Sequence, residues 1–466
     1  MTRLLIAIGI AALFVHAATV DRLRLHLSTG SHPVSPLSTV AVQVRCYDAK
    51  GDRLRDSGAT LKVSDGFVSK PYAWQGIDDE PYPDKSGFTG VLETLTQGFV
   101  HKDTFLWTVP EKPGSYRVEA EVAGIRTSTT VEVVASETSL TPAEGVSFPP
   151  DPPDERYGTL ARHWAPFIAQ ETWFDYKADI PVRFDYDGDW RGDNNWDNLA
   201  SGSSQAFVYY TAVETGTHWF LIYNLFHPRD YSDTCAPAMC HENDNEGLVL
   251  AVRKDGSRFG RLDAMETLAH NRIYSYVAND RLRRGANTIS GTVRFHGGSH
   301  PMIFVESGGH GIFAVGPDQP YDPESDQFAG STGITFVPAG APGRPAHPND
   351  RRVPYALLSI DQHWWHRRDQ PGLFDAPFAY RPFGLRPLAR VGGLRGSFLG
   401  RKHMPNSARP FWAWYDSRLA KRKILAPGQW ALDPAYSMSQ TLTIPNDEPW
   451  DLEYTHNPYL AEPPAR

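Results

Sequence analysis

The sequence predicts an all-β protein, in which an N-terminal immunoglobulin-like sandwich precedes a larger β-sandwich domain with few short helices. Apolar and polar residues alternate with a period of two in several segments, which is typical of strands with one buried face. Glycine (39 residues) and proline (38 residues) are frequent, and aromatic residues form 12% of the chain. Together these features favour short strands joined by many turns.

Length and charge exclude some classes of function. The chain has 466 residues, 41% of them hydrophobic, which at about 150 residues per domain is enough for roughly two or three packed units. Its formal net charge of −8 excludes the basic footprint of a nucleic-acid-binding protein. Its lysines form no polybasic run of the kind that attaches proteins to anionic membranes. We therefore expect no nucleic-acid partner.

The first 18 residues have the pattern of a secretory signal peptide. Arg3 precedes an apolar run over residues 4–15, and Ala17 and Ala18 offer a cleavage site. The apolar run is shorter than the ~20 residues that span a bilayer, although a retained anchor is the alternative. We expect no transmembrane segment after signal removal, and a secreted or cell-surface location.

Residues 19–136 are predicted to form the immunoglobulin-like sandwich, because they alternate in strand fashion and close with a strand pair around Gly124. Residues 137–158 are rich in proline with acidic and small neighbours, which is typical of a semi-rigid linker. Residues 159–466 are predicted to form one β-rich, metal-binding domain. Its predicted elements are a short helix at 160–170 and strands at 218–226, 247–253, 291–295 and 302–306.

The three cysteines indicate one local disulfide. Cys235 and Cys240 are close enough in sequence to form a bond in an oxidising compartment, which leaves Cys46 over. The alternative is that all three stay reduced, with Cys46 as a small buried hydrophobe in the strand at residues 41–47.

The strongest chemical signal is a dense set of polar residues between two apolar strands. Asp230 follows the first strand, and His241, Asp244 and Glu246 precede the second. Since side chains two apart on a strand share a face, Asp244 and Glu246 are expected to point the same way, with His241 joining them. Several carboxylates with one histidine suit Ca²⁺, Mg²⁺ or Mn²⁺ better than Zn²⁺. The alternative is a solvated loop whose Asp and Asn residues cap turns.

This segment resembles the core of the necrosis-inducing NLP cytolysins and of the related vacuolar protein sorting-associated protein 62 family. Here Pro-Arg-Asp at 228–230 and His-x-x-Asp-x-Glu at 241–246 match a Pro-Lys-Asp and the heptapeptide GHRHDWE. The resemblance implies a β-sandwich that holds a divalent ion with Asp230, His241, Asp244 and Glu246. The other heptapeptide positions depart from the pattern, namely Cys240, Glu242, Asn243 and Asn245.

Other candidates have weaker signals. Asp233, Glu242 and His310 are candidate ligand-binding residues; His310 lies among glycines at 308–311, in a stretch that is loosely similar to one of the sorting-protein family. The acidic residues at 185–197 resemble a calcium loop, but they lack the EF-hand order and are predicted to form a turn. The His-Trp-Trp-His stretch at 363–366 is predicted to pack rather than to bind metal.

These observations predict a secreted, divalent-metal-binding β-sandwich that recognises a glycan or a lipid headgroup, with cytolysin-like character implied by the resemblance. Plant-cell lysis itself is not carried over, because this chain is far longer and has an additional N-terminal module. One alternative is a metal-assisted hydrolase in which Glu242 or Asp233 acts as the general base. The other is a structural ion in a surface-attachment protein.

Overall fold

The computed structural model describes most of the chain from residue 19 to residue 460. The described residues are 19–27, 34, 39–54, 58–69, 104–110, 112–134, 157–173, 175–232, 235, 240–376, 378, 380–382, 390–392 and 396–460. The predicted signal peptide, most of the predicted linker and Asp233 lie outside these residues.

The N-terminal part consists of strands in two sheets. The strands are β1 (Arg22–Leu27), β2 (Thr39–Tyr47), β3 (Arg53–Leu54), β4 (Thr60–Val63), β5 (Phe67–Ser69), β6 (Thr104–Thr108), β7 (Gly114–Val122) and β8 (Ile125–Val133). One sheet has the order β1-β2-β6-β5, with β3 beside β2, and the other has the order β4-β7-β8. The predicted hairpin around Gly124 is present, because Ala123 and Gly124 both adopt positive φ between β7 and β8.

The two N-terminal sheets pack face to face. Val40, Val42 and Trp107 of the first sheet contact Val118 and Val131 of the second in one buried cluster. The period-two pattern of the sequence produces this core, since alternate side chains of each strand point inward. Cys46 is buried in a neighbouring cluster on β2.

The rest of the described chain is also mostly strand. Its strands are β9 (Phe167–Thr172), β10 (Phe207–Thr215), β11 (His218–Asp230), β12 (His241–Arg253), β13 (Arg261–Ala269), β14 (Arg272–Val277), β15 (Arg283–Arg284), β16 (Ile289–Thr292), β17 (Phe295–His296), β18 (His300–Val305), β19 (Ile312–Ala314), β20 (Tyr321–Asp322), β21 (Gln327–Phe328), β22 (Thr332–Pro338), β23 (Val353–Ser359), β24 (Tyr380–Pro382), β25 (Arg390–Gly392), β26 (Leu442–Thr443) and β27 (Tyr454–His456). Its α-helices are α1 (Gly158–Trp164), α2 (Asn195–Asn198), α3 (Ile360–His363), α4 (Ser417–Lys421), α5 (Gln429–Leu432) and α6 (Pro434–Thr441). The predicted all-β class is confirmed.

Most of these strands belong to a curled mixed sheet with the order β16-β14-β13-β12-β11-β10-β23-β22-β9-β18-β17. The strands β10 to β14 are antiparallel neighbours, whereas β23 runs parallel to β10 and β18 parallel to β9. Strand β19 pairs with β18 and also contacts β13, so two distant parts of the sheet approach each other. The central strands are buried on both faces, which explains their nearly continuous apolar sequences.

The helix predicted at residues 160–170 is shorter than expected. Helix α1 ends at Trp164, and residues 167–172 form strand β9. Pro166 explains the difference, because a proline disfavours helical backbone in the residue before it. Ala165 accordingly has φ −57° and ψ 134°.

The His-Trp-Trp-His stretch packs as predicted. Trp364 is fully buried and stacks on Tyr209 with ring centroids 4.0 Å apart. Trp365 lies edge-on to Trp412 and Tyr459. No helix among the described residues is long and apolar enough to cross a membrane.

Candidate metal centre

The candidate site is built on the hairpin of β11 and β12. These strands pair antiparallel with Asp230 opposite His241 and His227 opposite Asp244. The sequence predicts these polar residues in and beside a loop, whereas the structure places Asp230 at the end of β11 and the other three proposed ligands on β12. A paired strand holds a side chain more firmly than a loop does, and this favours a site with fixed geometry.

An irregularity at Asn243 decides which side chains of β12 share a face. On a regular strand His241 and Asp244 would point to opposite faces. Asn243 has φ 63°, in the left-handed region, and this breaks the alternation. His241 therefore joins Asp244, while Glu242 turns to the other face. The amide of Asn243 stabilises the arrangement by donating to the carbonyls of Gly192 (2.8 Å) and Leu399 (3.2 Å).

Three of the four predicted ligands converge. Asp230, His241 and Asp244 each offer one ligand atom, and these atoms lie within 4.8 Å of one another. The Nε2 atom of His241 lies 3.2 Å from Oδ2 of Asp230. Its Nδ1 lies 2.7 Å from the Asn243 carbonyl oxygen, which can only accept a hydrogen bond. The proton is thus held on Nδ1, as is usual for a metal-binding histidine that presents Nε2 to the ion.

Glu246 lies next to this group on β12. Its Oε1 accepts a hydrogen bond from the backbone N–H of His270 at 3.3 Å, and among the described residues no donor reaches its buried Oε2. Burial and the charge of Asp244 raise the pKa of Glu246 well above its ordinary value. A buried carboxylate oxygen without a partner, next to two more carboxylates, fits a bound cation.

The acidic surroundings also act on the histidines. Burial alone would lower the pKa of His241, but its hydrogen bond to Asp230 and the charges of Asp230 and Asp244 together raise it to about 9. His310 behaves similarly: burial would lower its pKa, whereas hydrogen bonds to Asp179 and Asp244 raise it to about 9. The cluster therefore carries an excess of negative charge that attracts protons or a metal cation.

Two predicted ligand-binding residues lie apart from the four proposed metal ligands. His310 is fully buried, with its Nδ1 2.8 Å from Oδ2 of Asp244, so it lies directly behind a proposed ligand. Glu242 lies on the other side of the sheet, away from the proposed ligands, and a ligand-binding role for it stays a prediction. Its carboxylate accepts hydrogen bonds from the backbone N–H groups of Trp196 (2.8 Å) and Arg401 (2.7 Å). Asp233 lies outside the described residues.

The solvent-facing side of the site has a second pair of charged residues. Asp230 and His241 have side chains that are 24% and 15% exposed. Nearby, His270 Nε2 lies 2.7 Å from Glu306 Oε2, and these side chains are 59% and 37% exposed. The backbone at Gly309 lies between the two pairs, since a Cβ there would be 3.0 Å from His270 and 3.9 Å from Asp230. The site is therefore buried at its base and open at one side.

The predicted disulfide between Cys235 and Cys240 is confirmed, with Cα atoms 4.9 Å apart. It closes the connection between β11 and β12 immediately before His241. This lowers the entropy cost of bringing the two strand ends together.

The second acidic stretch forms turns. Asp187 and Asp189 accept hydrogen bonds from the backbone N–H groups of Asp189 (3.3 Å) and Arg191 (2.7 Å). Asp185 forms a buried ion pair with Arg183 at 2.7 Å. These contacts match the predicted turn over residues 185–194, whereas residues 195–197 belong to helix α2.

Sequence reasoning missed Asp179. This residue is fully buried and its Oδ1 lies 3.2 Å from Nε2 of His310, on the side away from Asp244. The only signal in the sequence is a carboxylate between the apolar residues Ala178 and Ile180, both of which are fully buried. It belongs to no motif.

The geometry defines a candidate divalent-cation centre on a large curled β-sheet. No family model and no curated protein matches the chain. Solved structures similar to this chain include one described as a toxin fold for microbial attack and plant defense, with 16% identity and a TM-score of 0.26 over 48% of this chain and 82% of that chain.

Two further solved structures belong to the same group. NLPPya in complex with mannosamine is 15% identical, with a TM-score of 0.27 over 48% of this chain and 83% of that chain. Necrosis and ethylene inducing protein 2, from the causal agent of cocoa's witches' broom disease, is 14% identical, with a TM-score of 0.25 over 48% of this chain and 82% of that chain.

Proposed function

We propose that this protein binds one divalent cation through Asp230, His241, Asp244 and Glu246, and that the open side of the site receives a glycan or lipid headgroup. The observation that carries the proposal is the convergence of ligand atoms from Asp230, His241 and Asp244 within 4.8 Å. The buried Oε2 of Glu246 supplies a fourth candidate ligand atom.

The donor set supports a hard cation. Three carboxylates and one imidazole suit Ca²⁺, Mg²⁺ or Mn²⁺, with Zn²⁺ in second place. A divalent charge would offset the repulsion between Asp230, Asp244 and Glu246, which is costly in a largely buried setting. Cation binding therefore stabilises the arrangement that the hairpin already imposes on these side chains.

The open side supports a binding role. A cation that keeps an accessible coordination position can bind sugar hydroxyls or phosphate oxygens directly. The exposed pair of His270 and Glu306 offers hydrogen-bonding groups beside that position. A polar headgroup can therefore contact the ion and the rim of the site together.

The hydrolase alternative has less support. Glu242, one of its two candidate bases, faces the other side of the sheet and is held by backbone N–H groups. A general base must lie within hydrogen-bond reach of the water that it activates. Binding is therefore the better-supported function.

The test has two stages. Elemental analysis of the purified full chain, followed by calorimetric titration with Ca²⁺, Mg²⁺ and Mn²⁺, should find one divalent ion per chain. Glucosamine, mannosamine and anionic lipid vesicles are then titrated with and without chelator, with Asp244→Asn as the control. Binding of a sugar or of vesicles should require the ion. Absence of any ion from the protein and from the titrations would refute the proposal, and ligand binding that survives chelation would refute its second part.

A further inference from the structure

We infer that Asp179 is a positioning residue of the proposed cation site, and that it acts on the ligand Asp244 through the imidazole of His310. This inference rests on the proposed function, since it assigns a task to residues that lie behind a cation ligand. It extends the site to Asp179, which lies outside β11 and β12, the two strands that carry the proposed ligands.

Asp179 is a firmly held anchor. Its Oδ2 accepts hydrogen bonds from the backbone N–H of Trp173 at 2.9 Å and from the hydroxyl of Tyr231 at 2.6 Å. Its Oδ1 accepts from the backbone N–H of Gly308 at 2.9 Å. Donors from three separate segments thus fix a fully buried carboxylate, which leaves it little freedom to rotate.

His310 connects this anchor to the ligand. Its Nε2 lies 3.2 Å from Oδ1 of Asp179, and its Nδ1 lies 2.8 Å from Oδ2 of Asp244. The ring also stacks on His227, with centroids 3.8 Å apart and planes 5° from parallel. Rotation of the His310 ring would break both hydrogen bonds and the stacking, so Asp179 determines where Nδ1 is placed.

Asp244 is in turn fixed at both oxygens. Its Oδ1 accepts a hydrogen bond from the backbone N–H of Asn245 at 2.7 Å, while His310 holds Oδ2. The carboxylate is therefore oriented before any cation arrives, and no binding energy is spent on ordering it. Partners behind a metal ligand typically change metal affinity by about 10- to 100-fold when they are replaced.

The test measures cation affinity by calorimetry in the full chain, with Ca²⁺, Mg²⁺ and Mn²⁺ as probes. Asp179→Asn keeps the size of the side chain but replaces an acceptor oxygen by a donor, and should weaken binding by about tenfold or more. His310→Gln should weaken it similarly. In the double variant, Asp179→Asn should add almost nothing to the effect of His310→Gln, because the route through His310 is already lost.

Glu171→Gln is the matched control. Glu171 is another carboxylate that binds the same loop, accepting from the N–H and hydroxyl of Ser307 at 3.3 and 3.1 Å. Its hydrogen bonds go to Ser307 and Ser331 and not to His310. Its replacement should therefore change cation affinity much less than Asp179→Asn does. If Asp179→Asn fails to fold, Tyr231→Phe removes one donor to Asp179, and its loss of affinity should disappear in the His310→Gln background.

The outcomes separate the two proposals. Wild-type affinity in Asp179→Asn, or losses that add fully in the double variant, would overturn the role of Asp179 while the cation site stands. An equal loss in Glu171→Gln would show that the loop, and not the imidazole, carries the effect, and would overturn the inference too. A wild-type chain that binds no cation would overturn the proposed function itself.

Discussion

The four proposed ligands differ in how firmly hydrogen bonds hold them. Asp244 is bonded at both oxygens and His241 at both ring nitrogens, whereas Glu246 keeps one buried oxygen that no described donor reaches. Asp230 is the most exposed of the four side chains. We therefore expect Asp244 to fix the geometry of the site and Glu246 to contribute a charge that a bound cation offsets.

This difference gives the first prediction, at the residue scale. Asp244→Asn and Glu246→Gln keep side-chain size and remove one anionic ligand each, so each should weaken cation binding at least tenfold, or ~1.4 kcal/mol. Asp187→Asn removes a carboxylate that caps a turn and should leave affinity nearly unchanged. Calorimetry on the three variants checks this. Wild-type affinity in Asp244→Asn, or a loss confined to Asp187→Asn, would place the site on the other acidic stretch.

Sequence reasoning identified the candidate ligands but not their support. Asp230, His241, Asp244 and Glu246 lie near one another in the chain, so spacing and family resemblance both point to them. Asp179 reaches Asp244 only through His310, across separations of 131 and 66 residues. Local pattern carries no information about contacts of that kind, which arise when the whole sheet forms. The direction of the Glu242 side chain could not be predicted for a related reason, since strand periodicity does not reveal a left-handed residue such as Asn243.

Two elements have a local feature on which their geometry depends. On β12 it is the left-handed Asn243, and on α4 it is the N-cap Asp416. Strand positions were largely predictable because apolar runs are long in β11 and β12, although both strands extend further than predicted. The end of α1 at Pro166 was not anticipated, because the apolar residues that follow it suit a strand as well as a helix.

The second prediction concerns Asn243. Asn243→Val should lower the free energy of unfolding by about 3 kcal/mol, because a β-branched residue resists positive φ and buried hydrogen bonds are lost. It should also weaken cation binding, since His241 depends on the irregularity. In Asn243→Gly, glycine adopts the positive φ readily, and only the side-chain hydrogen bonds are lost. This variant should therefore be less stable than wild type but keep most of its cation affinity. Urea unfolding and calorimetry distinguish the two, and equal affinity in both variants would contradict the role given to the backbone.

The third prediction concerns pH and α4. Asp416 accepts hydrogen bonds from the backbone N–H groups of Arg418 (2.8 Å), Leu419 (2.9 Å) and Ile273 (2.9 Å). Burial alone would raise its pKa, but the hydrogen bond from the Arg418 guanidinium (2.7 Å) and those from the backbone of Ile273 and Leu419 bring it below the ordinary value of 3.8. Its stabilisation is therefore present above about pH 4 and is lost as pH falls through the lowered pKa.

Asp416→Ala should accordingly lower the free energy of unfolding by about 2 kcal/mol at pH 7. The difference from wild type should shrink below pH 4, because protonated Asp416 accepts less well. Asp447→Ala, which removes an exposed partner of Arg281, should change stability little at either pH. Thermal unfolding at pH 7 and pH 3 provides the measurement. If the stability difference between wild type and Asp416→Ala grows on acidification, the lowered pKa of Asp416 is refuted.

At the scale of the whole molecule, the described residues form separate hydrophobic cores. Two buried clusters among the described residues draw only on residues 20–133, and the largest cluster draws only on residues 157–460. Separate cores favour independent unfolding. The exact domain boundaries stay a prediction.

The fourth prediction follows from these separate cores. Calorimetric unfolding should show two transitions, and cation should shift only that of the larger unit. Free cation at a hundredfold excess over Kd raises the free energy of unfolding of the larger unit by about 2.7 kcal/mol, which corresponds to a rise in Tm of roughly 5 °C. Exhaustive chelation should remove this rise. Asp244→Asn serves as the control, since the Tm of its larger unit should not change when cation is added. A melting curve that chelation leaves unchanged would argue against a bound ion.

The hairpin of β11 and β12 also has a consequence for the order of folding. All four proposed ligands lie within residues 230–246, so little loop-closure entropy opposes their meeting, whereas Asp179 joins only when distant strands pair. Hairpins form in microseconds, well before contacts between remote strands. A cation should therefore find its ligands early and accelerate refolding, as stopped-flow tryptophan fluorescence would record. If the cation slows unfolding but leaves the refolding rate unchanged, the site assembles after the folding transition state.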